Sequence, residues 1–282
     1  MNTKIFPQDQ LSTRLRNSYG NWAVITGASS GIGLALAKQT ASAGLNVVLV
    51  ARSEDKLNLL ATELQEAHGI ESRVVPADLG TVEGITAVQQ QTNDLDIGLF
   101  IASAGFGTSG EFLDGNIEEE LAMLNVNCRA LMMLTWHFGR QFAEKGRGGI
   151  VLLSSIVGFQ GMPNAAHYAA TKAYVQTLSE ALTVELKSKG VDVLAAAPGP
   201  TNSGFASRAD MQMGAALNPE DLARPILNAL GKRTTTLPGF LSKFLVYVMA
   251  PLPRALRIRI MGSVMGGMTQ HQTESQPIPK QA

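Results

Sequence analysis

Three common structural features are scarce in this chain. It has one cysteine, so no internal disulfide can form and a disulfide-built secreted scaffold is excluded. Its 23 basic and 23 acidic side chains cancel, so it lacks the basic excess typical of proteins that bind nucleic acid. The apolar stretch 244–252 is far shorter than the ~20 residues that a membrane-spanning helix needs. Residues 1–20 contain no apolar run of the kind that a secretory signal requires. We therefore expect a cytoplasmic protein with no nucleic-acid partner.

The neutral total conceals two unlike pieces. Residues 1–231 carry 16 basic and 22 acidic side chains, whereas residues 232–282 carry 7 and 1. The basic piece begins with an apolar stretch and ends in a Gln-rich segment with two prolines. We predict an N-terminal arm at 1–20, one main domain at 21–237, an apolar and basic extension at 238–270, and a disordered tail at 271–282.

Short β-branched runs alternate with amphipathic segments along most of the chain. Strands are predicted at 22–26, 47–50, 73–76, 97–102, 150–154 and 191–196, with a short seventh at 234–237. Helices are predicted between and after them, at 33–42, 53–67, 81–92, 117–144, 165–189 and 219–230. This alternation is typical of βαβ units, so the sequence predicts a single doubly wound, Rossmann-type α/β domain with a central parallel sheet of about seven strands and a C-terminal helical extension.

A glycine-rich loop follows the first predicted strand and opens the first helix of the alternation. It reads Thr26-Gly27-Ala28-Ser29-Ser30-Gly31-Ile32-Gly33. Glycines let the backbone turn tightly and approach a pyrophosphate, whose charge meets free N–H groups at the helix N-terminus. Turns of any α/β protein use glycine, but the strand-loop-helix setting favours a dinucleotide site.

A second constellation lies further along the chain. Tyr168 and Lys172 stand four residues apart in a predicted helix, so their side chains share a face. Ser155 lies at the end of a predicted strand, at the edge of the sheet where ligands bind. A phenol is a poor base at neutral pH, and a nearby ammonium favours phenolate, so we expect Lys172 to lower the pKa of Tyr168.

The Gly-x3-Gly-x-Gly loop, Ser155 and the Tyr168-x3-Lys172 pair together resemble the short-chain dehydrogenase/reductase family, over residues 22–237. The resemblance implies an oxidoreductase that interconverts a carbonyl and an alcohol by hydride transfer. It gives Tyr168 the role of general acid/base, Ser155 that of holding the substrate oxygen, and Lys172 a further contact with the nicotinamide ribose. It also implies a catalytic asparagine that keeps a water beside the lysine; Asn127 fits the family register better than Asn125.

The end of the second predicted strand bears on the choice of cofactor. An acidic residue there would bind the ribose 2′-hydroxyl and repel a 2′-phosphate, whereas this chain has Arg52 followed by Ser53. A guanidinium pairs with a phosphate, so NADP(H) is predicted over NAD(H). The alternative is that Arg52 is an ordinary solvated charge at a helix start.

Further positions match the family's cofactor contacts. Asp78 fits the adenine segment or, alternatively, an N-cap of the next helix, and Ser103 stands where the family usually has an asparagine. The candidate cofactor-binding residues are Gly27, Ser29, Ser30, Gly31, Ile32, Gly33, Arg52, Ser53, Asp78, Leu79, Ala104, Gly105, Tyr168, Lys172, Pro198, Gly199 and Thr201. No metal site is predicted.

Residues 205–217 are rich in Met and Ala and are predicted to form a mobile lid. No charged anchor for a substrate is evident, so a lipophilic ketone, aldehyde or alcohol is favoured. The candidate pocket residues are Phe106, Phe159, Met162, Phe205, Met211 and Met213.

Alternatives remain for the extension and for the function. Residues 238–262 either pack as helices against the lid or a partner subunit, or lie in a membrane interface with their arginines at anionic headgroups. The resemblance implies a homodimer or homotetramer formed through helices 117–144 and 165–189. A catalytically silent nucleotide-binding protein or a membrane-surface scaffold of the same fold are the other functions considered; the presence of Ser155, Tyr168 and Lys172 argues against them.

Overall fold

Seven parallel strands form one sheet in the order β3-β2-β1-β4-β5-β6-β7 in the computed structural model, which describes residues 10–214 and 216–274. The chain crosses from β3 back to β4 beside β1, so the sheet is doubly wound and the predicted fold class is confirmed. The strands are β1 (Trp22–Thr26), β2 (Asn46–Ala51), β3 (Ser72–Pro76), β4 (Ile97–Ala102), β5 (Gly148–Leu153), β6 (Val191–Ala196) and the two-residue β7 (Thr235–Thr236).

Helices connect the strands and cover both faces of the sheet. They are α1 (Gln10–Tyr19), α2 (Gly31–Ser42), α3 (Glu54–His68), α4 (Val82–Gln90), α5 (Ile117–Leu124), α6 (Leu131–Lys145), α7 (Ala166–Glu185), α8 (Phe205–Arg208), α9 (Pro219–Ala229), α10 (Phe240–Met249) and α11 (Arg254–Glu274). On one face Leu36 of α2 and Ile226 of α9 are fully buried, and on the other Phe138 of α6 and Val175 of α7. Because both faces are covered, all residues of β4 and β5 are buried.

The N-terminal helix differs from the predicted arm. Residues 10–19 form α1, whose Leu11, Leu15 and Tyr19 are buried in the same core as α2 and α9. The Tyr19 hydroxyl donates to the Asp192 carboxylate over 2.8 Å. The end of α1 approaches the backbone of β4 closely at Gly98. A side chain there would not fit, because a Cβ on Gly98 would lie 1.5 Å from the Tyr19 carbonyl oxygen. These residues therefore belong to the core; residues 1–9 lie outside the described part of the chain.

The predicted helix 117–144 contains an irregular stretch. Residues Asn125–Ala130 form a π-helical turn between α5 and α6. In this stretch the buried Asn127 side chain bonds to the backbone of Phe106. A π-turn of this kind inside a helix often accompanies a functional site.

The extension beyond residue 237 packs on the domain as α10 and α11. Met249, Met261 and Met265 are buried in one cluster with Phe106 and Tyr168. The helix α11 continues to Glu274, so the predicted disordered tail is wrong for residues 271–274, and residues 275–282 lie outside the described ranges. Within those ranges no helix combines the length and hydropathy needed to cross a bilayer.

Candidate active site

A cavity of about 770 Å³ opens at the carboxyl edge of the sheet, where the ends of β1 to β6 converge. Every predicted cofactor-binding residue lines it. These residues are Gly27, Ser29, Ser30, Gly31, Ile32, Gly33, Arg52, Ser53, Asp78, Leu79, Ala104, Gly105, Tyr168, Lys172, Pro198, Gly199 and Thr201. Ser155 lines the same cavity, whereas Asn127 does not. Residues from distant parts of the sequence thus meet in one site.

The glycine loop presses the start of α2 against the end of β1. Gly27 and Gly31 have positive φ angles of 70° and 55°, which favour glycine. A Cβ on Gly33 would lie 2.2 Å from the Gly27 carbonyl oxygen. The side chain of Ser30, which precedes α2, makes no capping hydrogen bond, so the first N–H groups of the helix are left for an anion. This donor set fits the pyrophosphate of a dinucleotide.

The adenosine side of the cavity is lined by Arg52, Ser53 and Lys56 from the start of α3 and by Asp78 after β3. Two exposed cations beside a hydroxyl fit a 2′-phosphate. Thr81, and not Asp78, caps α4, because its hydroxyl accepts the Gly84 N–H over 3.0 Å. The alternative role of Asp78 as helix cap is therefore wrong.

Sequence reasoning missed the residue that holds the end of β4. The Thr26 hydroxyl accepts hydrogen bonds from the N–H groups of Ser103 and Ala104, both over 3.1 Å. It fixes this turn beside the glycine loop, although Ser103 replaces the amide that the family usually has here. The position of Thr26 at the carboxyl end of β1 was the available signal.

The catalytic candidates lie together at the end of β5 and the start of α7. The Lys172 ammonium donates to the Leu153 carbonyl over 2.8 Å and lies 5.9 Å from the centre of the Tyr168 ring. The neighbouring Ser154 hydroxyl donates to the Lys172 carbonyl over 3.0 Å, which ties β5 to α7. Ser155, Tyr168 and Lys172 are all buried, so neighbouring protein groups rather than water hold their side chains in place.

Burial shifts the pKa values of Tyr168 and Lys172 in opposite directions. It raises the pKa of Tyr168 above its usual value, and the Ser155 hydroxyl beside it opposes the rise. Burial also lowers the pKa of Lys172 to about 8. The expectation that Lys172 lowers the pKa of Tyr168 is therefore wrong for this structure, in which the ammonium bonds to a backbone carbonyl instead. Tyr168 is held as a neutral phenol, the form that can give up a proton.

Asn127 connects the turn after β4 to α7. Its amide nitrogen donates to the Phe106 carbonyl over 2.8 Å and to the Thr171 hydroxyl over 3.1 Å, and its oxygen accepts the Phe106 N–H. A Cβ on Gly105 would lie 2.9 Å from that oxygen. Asn127 thus holds Gly105 and Phe106, two residues of the cavity wall, against α7.

Two other reactive side chains near this site have structural surroundings. Cys128 is buried, and burial raises the pKa of its thiol to about 11, which leaves it protonated at neutral pH. The Nδ1 atom of His167 lies 2.6 Å from a carboxylate oxygen of the buried Glu120, outside the cavity. Neither Cys128 nor His167 lines the cavity.

The apolar wall of the cavity comes partly from the C-terminal helices. Of the predicted pocket residues, Phe159 is the one that does not line the cavity; it packs near Ile156 and Leu237. Sequence reasoning missed the wall contributed by α10 and α11, which consists of Leu241, Leu245, Met261, Val264, Met265 and Met268. The spacing of Met261, Met265 and Met268 on one helical face was a usable signal.

A dinucleotide-sized cleft with a glycine loop, a buried tyrosine and a lysine one helical turn later defines a nicotinamide-dependent dehydrogenase. The family model described as short chain dehydrogenase matches residues 21–213. The chain belongs to the short-chain dehydrogenase/reductase family, and it is an oxidoreductase acting between alcohols and carbonyls.

Several known proteins are similar to this chain over most of their length. A 7beta-hydroxysteroid dehydrogenase of Collinsella aerofaciens is 34% identical over 232 residues, which cover 80% of this chain and 88% of the relative. A solved structure from work on the stereoselectivity of 7beta-hydroxysteroid dehydrogenase is 34% identical to this chain, with a TM-score of 0.81. The match covers 88% of this chain and 98% of the chain in that structure. A short-chain dehydrogenase from Sphingobium yanoikuyae in complex with NADPH is 30% identical, with a TM-score of 0.74 over 93% and 98%.

Proposed function

We propose that this protein is an NADP(H)-dependent oxidoreductase that interconverts a ketone and a secondary alcohol on a bulky lipophilic substrate of steroid-like size. One observation carries the proposal: a single cavity joins the glycine loop and Arg52, the Ser155–Tyr168–Lys172 group, and a wall of methionines. The NADPH complex of the Sphingobium yanoikuyae relative supports the cofactor, and the 7beta-hydroxysteroid dehydrogenases support the substrate class.

In the reductive direction Tyr168 gives its phenolic proton to the carbonyl oxygen of the substrate. The raised pKa of Tyr168 keeps that proton in place until the oxygen becomes negative. Ser155 donates a hydrogen bond to the same oxygen, and Lys172 adds positive charge beside it. The reduced nicotinamide supplies the hydride when it is bound. In oxidation the proton moves the other way, from the alcohol to Tyr168.

Substrate size follows from the composition of the wall. Phe205 packs against Tyr168 with ring centres 5.1 Å apart, and Met162, Met261 and Met265 are buried around it. Methionine side chains adapt their shape to an irregular apolar surface. A wide, flat hydrocarbon such as a fused-ring ketone fits this surface better than a sugar, whose hydroxyls would lose their hydrogen bonds to water.

The substrate class is tested by NADPH oxidation with ketones graded from small acyclic compounds to fused-ring steroids. We expect kcat/KM to rise with apolar size, by about tenfold for each ~1.4 kcal/mol of additional apolar burial. Met265→Lys, which places a charge in the wall, should remove this preference, while Val184→Lys on the exposed face of α7 should keep it. Equal kcat/KM for small polar ketones and steroids would contradict the proposal.

The face formed by α5, α6 and α7 supports pairing with a second copy. Leu121, Met132 and Tyr174 are exposed there, and Trp136 is 62% exposed. Beside them lies a groove of about 310 Å³ between α6 and α7. We infer that this face is the homo-oligomer interface that the family resemblance implies, because isolated monomers rarely leave so many large apolar side chains together in water.

The outer face of α10 supports the predicted membrane contact. Phe240 and Phe244 stack on each other and are 81% and 50% exposed, and Tyr247 is 65% exposed. Lys243, which is exposed, lies between the two phenylalanines in the sequence, and α11, the next helix, carries three arginines. The opposite face of α10 is fixed to the domain, since the Ser242 hydroxyl accepts the Gly199 N–H over 2.9 Å. Aromatic side chains flanked by cations suit an anionic lipid surface.

Flotation with anionic vesicles tests this contact. The wild-type protein should float with phosphatidylglycerol vesicles, and the double variant Phe240→Ser, Phe244→Ser should stay at the bottom, because about 2 kcal/mol of apolar burial is lost for each ring. Phe112→Ser removes an exposed ring elsewhere and serves as the matched control. Wild-type protein that stays at the bottom would rule the contact out. Truncation is unsuitable, since α11 supplies buried core residues.

A further inference from the structure

Arg208 is a charged group inside the cavity that the sequence did not single out. It ends the short helix α8 in the lid and lines the cavity together with Arg52 and Asp78. Its guanidinium lies 3.7 Å over the centre of the Phe106 ring, so its position is fixed by an aromatic face. The segment that contains α8 therefore brings a cation into the cavity.

Arg208 and Arg52 line the same cavity, and their positive charges act on each other. Burial lowers the pKa of Arg208, and the nearby positive charge of Arg52 lowers it further. Asp78 and Glu119 act on it in the opposite direction and more weakly, and among the described residues Arg208 forms no ion pair with either of them. Two guanidiniums that line one cavity, neither of which forms an ion pair within the described part of the chain, can bind an anion.

We propose that Arg208 is a phosphate ligand carried by the lid, which clasps the adenosine half of NADP(H) from the side opposite Arg52. The two arginines approach a phosphate from α8 and from the end of β2, so the bound dinucleotide links the lid to the sheet. This inference rests on the proposed cofactor.

The lid is in turn bonded to the helix that forms the substrate wall. The Gln212 N–H donates to the Met268 carbonyl over 2.9 Å, and Gln272 donates to the Asp210 carbonyl over 2.7 Å. The Asp210 carboxylate lies 3.1 Å from the His271 ring. These bonds join residues 210 and 212 to α11, which also carries the methionine wall. Phosphate binding at Arg208 should therefore also restrain that wall.

The test measures NADPH binding by calorimetry, without turnover. We expect Arg208→Gln to weaken NADPH binding by about tenfold or more, because a charge-assisted hydrogen bond to phosphate is lost. Arg208→Lys keeps the charge and should recover part of the affinity. Lys189→Gln, an exposed change of equal charge far from the cleft, is the matched control. Thermal unfolding of each variant confirms that it is folded.

Smaller probes identify the phosphate. If Arg208→Gln weakens adenosine 2′,5′-bisphosphate more than ADP, Arg208 binds the 2′-phosphate. If it weakens both equally, Arg208 binds the 5′-phosphate that the two probes share, and if it weakens ADP more, Arg208 binds the outer phosphate of the diphosphate. Each of these results supports the proposal. Unchanged affinity for NADPH and both probes, including the case in which only the KM of the ketone rises, overturns it.

Hydrogen exchange gives an independent readout. NADPH should protect the amides of residues 205–212 and of α11 in the wild type, and this protection should disappear in Arg208→Gln. Equal protection in both proteins would overturn the coupling. A wild type that fails to bind NADPH at all would instead refute the proposed function, so the two failures are distinguishable.

Discussion

Tyr168→Phe is expected to lower kcat for ketone reduction by about 10²- to 10⁴-fold, the range for loss of a general acid, while leaving NADPH binding unchanged. The substitution removes one hydroxyl and keeps the ring. The ring is buried and packs against Phe205, so the wall of the cavity should keep its shape. Because Tyr168 makes its decisive contact with the substrate oxygen as charge develops, the loss should fall on kcat and only weakly on KM.

Steady-state kinetics with the best ketone, together with calorimetric NADPH binding, measure both parts of this result. Tyr174→Phe on the same helix, outside the cavity, is the matched control. Unchanged kcat in Tyr168→Phe would reject the proposed acid.

In the wild type the reductive rate should also fall as pH rises through about 8, because Lys172 loses its proton there and the positive charge beside the oxygen disappears.

Arg52→Asp is expected to weaken NADPH binding by about 10²-fold and to leave NADH binding equal or improved, since one charge-assisted contact is lost and a repulsive carboxylate is introduced. The 2′-phosphate is the one group that distinguishes the two cofactors. The change should therefore appear in the ratio of the two affinities, whereas general damage to the glycine loop would weaken both.

Binding of NADPH and NADH to the wild type and the variant, at fixed salt, measures that ratio. Lys187→Asp makes the same change of net charge on an exposed residue far from the cleft, and it controls for long-range electrostatics. A wild type that prefers NADH would show that Arg52 is only a solvated charge at the start of α3.

The cofactor half of the site was predictable because local sequence determines it. Each of its segments follows a strand directly, and parallel strands bring their carboxyl ends to one edge. The glycine loop, Arg52, Asp78 and Pro198 could thus be placed together without knowledge of side-chain packing.

The substrate half depends on packing that no local pattern encodes. Met261 and Met265 reach the cavity only because α11 packs back on the domain, in one cluster with Phe205 and Met211. The same holds for Arg208, whose direction is set by the Phe106 ring, and for the pKa of Tyr168, which depends on how completely α7 is covered. The buried face of α1 was missed because three apolar residues in a polar segment make too weak a period.

The anchoring of α1 has a consequence for synthesis on the ribosome. Arg14 donates to the carbonyls of Leu230 and Leu227, over 2.8 and 2.6 Å, partners that are more than two hundred residues later in the chain. Because α1 leaves the exit tunnel long before α9, these two hydrogen bonds have to wait for α9 before they can form. During that interval α1 is held mainly by its contacts with β4 and β5, so a nascent chain stalled before residue 230 should expose Leu11, Leu15 and Tyr19 more often and should be a preferred client of chaperones that bind apolar segments.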